Sequence, residues 1–247
     1  LAPISPSHIT SALDIGCGRG HWILEMANAF PNCQWTGIDM SLEALSSPTS
    51  KSLPPNVSYQ QANILPGFPF PDDSFDYVHQ RMLSGGVPTR DWAHVMRETY
   101  RVLRPGGWCE IGESDALHFP VGPIGERINS TISSSMLLAG MDTGILQNLP
   151  HYVRDAGFIE CVAMSFKLPT GHWASTPGSL SLRVWTMNLD SLKSSLAPDL
   201  SDHDFLQWKS SWAQEMEHYR SSWEMVIVYA RKPLFPHSQP PPPPTIP

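Results

Sequence analysis

Basic residues are scarce in this chain, and their scarcity argues against a nucleic-acid partner. The 247 residues include 16 Lys and Arg against 23 Asp and Glu, a formal net charge of −7. A surface that follows a phosphate backbone needs clustered positive charge. The nearest approach is Arg97, Arg101 and Arg104, spaced along one face of a predicted helix. Charges at helical spacing are more typical of a solvated surface, so we expect no nucleic-acid partner.

Cysteine is also sparse, and no spacing of cysteine or histidine suits a metal. Cys17, Cys33, Cys109 and Cys161 lack the C-x-x-C pattern of zinc and redox sites. The ten histidines form no H-E-x-x-H group. We therefore expect neither a metal site nor a disulfide framework, and a reducing compartment suits the four thiols.

Long apolar runs are absent as well. No segment approaches the ~20 residues that a membrane-spanning helix needs, and the opening LAPISPSHIT lacks the basic and apolar regions of a secretory leader. We expect no membrane association and a cytoplasmic location, with the nucleus as the alternative. At 41% hydrophobic residues, the chain still has enough apolar side chains for a buried core.

The first half of the chain reads as alternating strands and helices. Residues 11–15 form a short apolar run that ends in glycines, as a buried strand does. Apolar residues then recur at helical spacing, at Ile23, Met26, Ala27 and Phe30. Four further strands are predicted, over residues 33–41, 56–63, 73–80 and 107–113. Helical spacing returns before the fifth strand, so the order predicts an α/β fold with a doubly wound sheet and helices on both faces.

The second half is predicted to be mostly helical and to complete the sheet. Helical patterns occupy residues 126–139, 148–155, 178–195 and 202–219. Strand patterns occupy residues 157–169 and 223–233. We expect a single domain over residues 1–235, with a cofactor-binding part at 10–115 and a cover at 116–235. The proline-rich residues 236–247 are expected to be disordered, with an SH3 or WW domain as a candidate protein partner.

Three glycines stand between the first predicted strand and the first helix. Gly16, Gly18 and Gly20 are spaced G-x-G-x-G, and without side chains the backbone can turn tightly and approach a ligand. Open α/β sheets bind ligands at this carboxyl edge. Asp39 ends the next predicted strand, where a carboxylate can accept hydrogen bonds from both ribose hydroxyls of an adenosine. Together these features predict a nucleoside site.

The position of the third glycine distinguishes two kinds of nucleoside-binding site. Dinucleotide sites carry G-x-G-x-x-G, with the pyrophosphate at the helix N-terminus, whereas here His21 takes the position of the last glycine. Asp14 lies two residues before the first glycine, where a carboxylate repels a pyrophosphate and suits an ammonium or sulfonium group. This favours an amino-acid-bearing nucleoside such as S-adenosylmethionine, and disfavours a nicotinamide-dependent oxidoreductase.

The same segments resemble a known family. ALDIGCGRG is similar to motif I of class I S-adenosylmethionine-dependent methyltransferases, and GIDMS to the segment that follows it. WAHVMRETYRVLRPGGWCEIGE is similar to the helix and fifth strand of that family. The resemblance covers residues 10–115, and HQRML with YRVLRPGGW most resembles fungal methyltransferases related to the velvet-associated regulators of secondary metabolism. It implies a Rossmann-like, seven-stranded sheet of order 3-2-1-4-5-7-6 whose last strand is antiparallel.

The resemblance also implies a cofactor, S-adenosyl-L-methionine, and residues that hold its methionine and ribose parts. Gly16, Gly18 and Gly20 would line the methionine. Asp14 would lie near the ammonium group, directly or through water. Asp39 would accept hydrogen bonds from the ribose hydroxyls.

Four further residues are implied for the adenine and the methyl end. Met40 would pack on the adenine, and Ile64 would flank it. Asn63 stands where the family often has Asp, and its carbonyl can also accept a hydrogen bond from the adenine amino group. Gln80 would face the methionine or the transferred methyl group. The family has a helical segment before its first strand and this sequence has almost none, so we expect weak cofactor binding by the 247 residues.

No residue can be named as catalytic from the sequence. His79, Glu113, Asp115 and His118 fall near the carboxyl edge of the predicted sheet. Each suits a structural role at least as well as proton transfer. Arg81 suits either an acidic substrate or an internal ion pair.

Four tryptophans in the second half are candidates for a cover over a methyl acceptor: Trp173, Trp185, Trp208 and Trp212. Aromatic side chains suit a flat or apolar small molecule, although they are also ordinary core residues. Two functions stay open. One is a methyltransferase that acts on a small-molecule substrate at oxygen, nitrogen or a carboxylate. The other is a regulatory protein that binds S-adenosylmethionine and works through protein partners, which the proline-rich tail slightly supports.

Overall fold

The computed structural model describes residues 2–5, 8–41 and 53–235, which form an α/β fold around one sheet. Within these ranges the sheet has eight strands: β1 (Ser11–Ile15), β2 (Gln34–Asp39), β3 (Val57–Gln61), β4 (Phe75–Arg81), β5 (Leu103–Glu113), β6 (His118–Phe119), β7 (Ile159–Pro169) and β8 (Ser222–Arg231). Seven helices accompany it: α1 (His21–Ala29), α2 (Trp92–Val102), α3 (Pro123–Leu138), α4 (Ile145–Asp155), α5 (Ser175–Ser191), α6 (Lys193–Leu196) and α7 (Asp202–His218). The expected proline-rich tail, residues 236–247, lies outside the described residues.

The order of the strands is the predicted one, with one addition. β3, β2, β1, β4 and β5 lie side by side and parallel, and β8 runs antiparallel between β5 and β7. The expected count of seven is wrong, because β6 also pairs with β8. Glu113, at the end of β5, pairs with Val226, so the first residues of β8 lie beyond β5. β6 supplies their partner on that edge, with His118 opposite Trp223.

Successive side chains along each strand point to opposite faces of the sheet, and both faces are buried. In β1, Ala12 and Asp14 lie on the side of α1, whereas Leu13 lies on the side of α2 and α4. In β4 the same alternation places Tyr77 with Ala12 and Val78 with Leu13. Because parallel strands are covered on both faces, the first half of the chain is rich in short apolar runs.

The helices occur where the sequence predicts them, with shifted ends. α3 begins at Pro123, earlier than expected, because proline suits the first turn of a helix. The pattern predicted over residues 178–195 divides into α5 and α6 at Leu192. α2 ends at Val102, and β5 begins directly after it rather than at residue 107.

A second hydrophobic core lies among the helices of the C-terminal half. α3, α5, α6 and α7 share one buried apolar set: Ile128, Ile132, Leu182, Trp185, Leu189, Leu196, Phe205, Trp212 and Met216. Ser201 caps α7, since its Oγ accepts a hydrogen bond from the Asp204 N–H over 3.2 Å, a cap typically worth ~0.5–2 kcal/mol. Among the described residues, no helix combines the length and hydropathy that crossing a membrane requires.

Candidate functional site

The glycine loop after β1 is built on left-handed backbone. Gly16, Gly18 and Gly20 have φ of 68°, 52° and 72°, a region that glycine adopts at little cost. The N–H groups of Gly16 and Cys17 both donate to the Ile38 carbonyl, over 2.8 and 3.0 Å. Two hydrogen bonds therefore attach the loop to β2 before α1 begins.

The first two glycines of the loop meet different surroundings. A Cβ on Gly16 would overlap the side chain of Leu83, which follows β4, so Gly16 allows close packing within the chain. A Cβ on Gly18 would meet no described atom within 4 Å. Gly18 therefore faces open space at the carboxyl edge, where parallel sheets bind their ligands.

Asp39 joins the glycine loop to the end of β2. Its Oδ2 accepts a hydrogen bond from the Gly18 N–H over 2.9 Å, and its Oδ1 accepts one from the Ser41 N–H over 3.0 Å. A carboxylate has about four lone-pair positions, so it can accept further donors beside the open space at Gly18. No sequence pattern indicated the bond to Gly18, because it depends on how two distant turns meet.

Asp14 has an internal partner. It pairs in register with His79 of β4, whose Nδ1 lies 2.8 Å from Asp14 Oδ1. The His79 ring stacks on Trp22 of α1, with centroids 3.5 Å apart and planes 10° from parallel. Asp14 is only 3% exposed. His79, weighed earlier as a proton-transfer residue, thus has a structural contact, and sequence analysis missed Trp22 because the stacking crosses two elements.

Gln80 and Glu113 form a buried polar pair at the ends of β4 and β5. Gln80 Nε2 donates to Glu113 Oε1 over 3.0 Å, and both residues are 0% exposed. Glu113 also accepts hydrogen bonds from the backbone N–H groups of Leu83 and Ser84, over 3.1 and 2.8 Å. Burial raises the pKa of Glu113 to about 7, against the lowering effect of these hydrogen bonds. In this structure Glu113 holds the segment that follows β4.

One buried acceptor atom of the Gln80–Glu113 pair has no donor within the described part of the chain. Gln80 Oε1 has no hydrogen-bond partner among the described residues. A buried polar atom without a partner typically costs ~1–3 kcal/mol. Its place at the carboxyl end of β4 fits a ligand that brings an N–H or O–H donor.

The residues expected to hold an adenine lie at the exits of β2 and β3. The Ala62 N–H donates to the Asp39 carbonyl over 2.9 Å and so brings the two exits together. Met40 is 71% exposed, and Ile64 packs partly buried against the main core. Asn63 is exposed, and its Oδ1 accepts a hydrogen bond from the backbone N–H two residues later. All three share the edge of the glycine loop, and their contacts with a base stay predictions.

A cavity of about 380 Å³ opens beside the segment that follows β4. Met82 and Ser84 line it, while Leu83 between them packs on Gly16 of the glycine loop. Helices α3, α5 and α6 supply the other walls, including the buried indole of Trp185. The cavity and the glycine loop therefore contact adjacent residues of one short segment, residues 82–84.

One of the four tryptophans expected to cover an acceptor lines this cavity. It is Trp185, whereas Trp212 is buried in the second core and Trp208 packs against that core. Trp173 is 40% exposed and does not line the cavity. Core packing, the alternative interpretation of these residues, therefore accounts for three of them, because Trp185 also belongs to the second core.

Of the remaining candidates, His118 and Asp115 make structural contacts. His118 Nε2 lies 3.1 Å from Thr170 Oγ1, and burial lowers the pKa of His118 to about 4. Asp115 Oδ1 accepts the Leu117 N–H over 3.0 Å, and burial raises the pKa of Asp115. Arg81 is exposed. Across the part of the chain that the structure describes, no three His, Cys, Asp or Glu side chains gather as a metal site requires.

Sequence comparison finds relatives of the chain among fungal proteins. Residues 12–107 match the family described as "Methyltransferase domain". The chain is 33% identical over 118 residues to methyltransferase str3 of Strobilurus tenacellus, covering 48% of this chain and 40% of that protein. It is 37% identical over 103 residues to the secondary metabolism regulator laeA of Coprinopsis cinerea, covering 42% and 24%. It thus spans less than half the length of these two relatives.

Solved structures share the fold over most of the chain. Haemonchus contortus phosphoethanolamine N-methyltransferase 2, in complex with S-adenosyl-L-methionine, matches with a TM-score of 0.57 at 19% identity, covering 91% of this chain and 49% of that one. The [4+2]-cyclase SpnF matches with a TM-score of 0.56 at 20% identity, covering 92% and 76%. At these identities the likeness concerns the fold alone.

Proposed function

We propose that the chain is a class I S-adenosylmethionine-dependent methyltransferase, which moves a methyl group from S-adenosyl-L-methionine to a small-molecule acceptor. The match of residues 12–107 to a methyltransferase domain supports this proposal. The acceptor atom would be an oxygen, a nitrogen or a carboxylate oxygen. The observation that carries this proposal is the open space at Gly18, bounded by Asp39 and lying one backbone segment away from the cavity.

The polar groups at this edge suit the cofactor. Its ribose hydroxyls are donors, and Asp39 has lone pairs free for them beside Gly18. Its ammonium group is a donor as well, which suits the unpartnered Oε1 of Gln80. We assign Asp14 to the neighbourhood of the ammonium group and the three glycines to the methionine part.

The adenine is assigned to the exits of β2 and β3. Met40 offers an exposed apolar surface on which a base can pack. Ile64 would flank the base from the side of the core. Asn63 would accept a hydrogen bond from the adenine amino group through its carbonyl.

When bound, S-adenosyl-L-methionine would supply an activated methyl group, whose transfer forms a bond to the acceptor atom and leaves the electron pair of the broken carbon–sulfur bond on sulfur. The chain holds the acceptor in line and keeps water away, and such positioning can supply ~7–11 kcal/mol of a barrier. Glu113 serves this purpose by fixing the wall at Leu83 and Ser84. A proton released by a hydroxyl or amine acceptor would pass to water, since none of the described residues that line the cavity has a titratable side chain.

We further propose one methyltransferase domain over residues 1–235, with its cofactor part at 10–115 and its cover at 116–235. The separate core of α3, α5, α6 and α7 supports this division. We propose a cytoplasmic location, with the nucleus as the alternative. The four cysteines are unpaired thiols, which supports a reducing compartment.

A regulatory function is the second candidate. It is favoured by the relative from Coprinopsis cinerea, which is named a secondary metabolism regulator. The chain would then bind S-adenosyl-L-methionine and act through protein partners, with residues 236–247 as one candidate contact.

Titration and turnover separate these functions. Isothermal titration with S-adenosylhomocysteine and with NAD tests the cofactor, and preference for NAD would reject both candidates. Transfer of a labelled methyl group to any member of a small-molecule panel supports the enzyme. Tight S-adenosylhomocysteine binding without turnover, together with capture of a protein partner that depends on the cofactor, supports the regulator.

A further inference from the structure

We propose that the cavity beside the glycine loop is the acceptor site and that it selects an uncharged, largely apolar small molecule. This inference rests on the proposed methyl transfer, because a cavity near the glycine loop can be an acceptor site only if the methyl donor binds at that loop. Met82 and Ser84 line the cavity, whereas Leu83 packs on Gly16 of the glycine loop. An occupant of the cavity therefore lies beside a segment that also contacts the glycine loop.

The lining of the cavity carries no charged side chain. Among the described residues that form it, none is Asp, Glu, Lys, Arg or His. Its apolar part consists of Met82, Ala116, Ile132, Met136, Trp185 and Leu192. Its polar part consists of hydroxyl groups and the amide of Asn188. A carboxylate or phosphate needs a cationic partner, and an unpaired buried charge costs far more than a neutral group.

Three ionic groups close to lining residues, Glu113, Arg127 and Lys193, already have partners. Glu113 lies behind Ser84 and accepts its N–H. Arg127 of α3 donates to a carbonyl of α6 over 2.7 Å, and Lys193 pairs with Asp202. An anionic acceptor would therefore approach a carboxyl group without gaining either of these cations.

The burial of the lining residues and the volume of the cavity indicate how an acceptor would fit. Trp185 and Ile132 are buried, whereas Asn188 and Ser191 are exposed at the mouth. The volume of about 380 Å³ falls in the range of ~300–1,000 Å³ that small-molecule sites occupy. The acceptor therefore rests an apolar body on Trp185, and Asn188 offers hydrogen bonds to a neutral polar group. We assign Trp185 and Asn188 as specificity-determining residues.

A matched set of probes tests the charge preference. The full chain is titrated calorimetrically near neutral pH with 1-naphthol and 1-naphthylamine, which are neutral, and with 1-naphthyl phosphate, which is an anion. We expect the neutral probes to bind at least about tenfold more tightly than the phosphate. Ser135 and Ser134 are neighbouring exposed residues of α3, and of the two only Ser135 lines the cavity. Ser135→Arg should improve phosphate binding relative to 1-naphthol at least about tenfold, and Ser134→Arg should leave the ratio unchanged.

A separate titration with S-adenosylhomocysteine distinguishes the two ways of failing. If the chain binds S-adenosylhomocysteine but prefers the phosphate, or binds neither neutral probe, this inference is overturned while the proposed function stands. If the chain binds 1-naphthol but not S-adenosylhomocysteine, the proposed function fails and the acceptor role fails with it.

Discussion

His79 and Asp14 meet across the β1–β4 register, with Nδ1 of the histidine 2.8 Å from Oδ1 of the aspartate. The pair is buried two residues before the first glycine of the loop, and Trp22 stacks on the histidine ring. The start of the loop therefore depends on a buried hydrogen bond between two strands as well as on its glycines.

Removing His79 should destabilise the chain. His79→Ala leaves Asp14 buried without this partner, and we expect a loss of ~1.5–3 kcal/mol, the range for hydrogen bonds to charged groups. Urea unfolding of the parent, His79→Ala, Asp14→Asn and the double variant completes a double-mutant cycle. We expect a coupling energy above ~1 kcal/mol. Additive effects of the two substitutions would show that the contact contributes nothing to stability.

The glycine loop gives a prediction in which two neighbouring positions behave differently. Gly18→Val should reduce affinity for S-adenosylhomocysteine at least about tenfold, because a side chain would enter the open space at the loop. Gly16→Ala should mainly lower stability, because its Cβ overlaps Leu83, and Leu83→Ala should recover part of that loss. Calorimetric titration and thermal unfolding measure the two effects. Unchanged affinity in a folded Gly18→Val chain would remove the cofactor from this loop.

Asp39 offers a test of the ribose assignment. Asp39→Ala should weaken binding of S-adenosylhomocysteine by ~1.5–3 kcal/mol, since it removes a charged acceptor for hydroxyl donors. Because Asp39 also anchors the Gly18 N–H, loss of affinity alone does not identify the ribose. The 2′-deoxy analogue does, since it should lose less affinity in the variant than in the parent. Equal losses in both proteins would exclude Asp39 as the ribose ligand.

Glu113 gives a pH dependence of defined sign. Its pKa rises from an ordinary 4.5 to about 7 on folding, so the native chain binds more protons than the unfolded chain between these values. Its contribution to stability is therefore greatest at the acid end and declines as pH rises from about 4.5 to 7. The decline should be on the order of 3 kcal/mol for a shift of this size. The difference in unfolding free energy between parent and Glu113→Gln, measured from pH 4.5 to 8, should show it.

Two features control this measurement. Because burial lowers the pKa of His118 to about 4, this residue decreases the unfolding free energy of the chain as pH falls below 6.5. Because parent and variant both contain His118, its contribution cancels in their difference. Glu110→Gln removes another carboxylate from β5 and should not reproduce the slope. A parent-minus-variant difference that stays flat with pH would contradict the raised pKa of Glu113.

Much of the fold could be predicted because it follows from local patterns. The apolar run at 11–15, the helical spacing after Gly20 and the late strand patterns fix element types and order, and family resemblance adds the antiparallel last strand. β6 could not be predicted, since two residues carry no periodicity. Its pairing with Trp223 depends on where β5 ends beside β8.

The sequence predicted the candidate site only where a local feature, such as glycine spacing or the end of a strand, determines the position of a residue. Glycine spacing placed Gly16 and Gly18 at a turn, and the end of a strand placed Asp39 beside them. The contact of Leu83 with Gly16 and the hydrogen bonds of Glu113 join residues far apart in the chain. Such contacts follow from strand order and side-chain packing, which no local pattern records.

Residues 82–84 contact both parts of the candidate site, with Leu83 against Gly16 and with Met82 and Ser84 at the cavity. We therefore expect a ligand that displaces Leu83 to change the shape of the cavity as well. Linkage between two binding equilibria is reciprocal, so we expect the acceptor to change the Kd of the cofactor by the same factor that the cofactor changes the Kd of the acceptor. Coupling through this segment requires neither a hinge nor a moving domain.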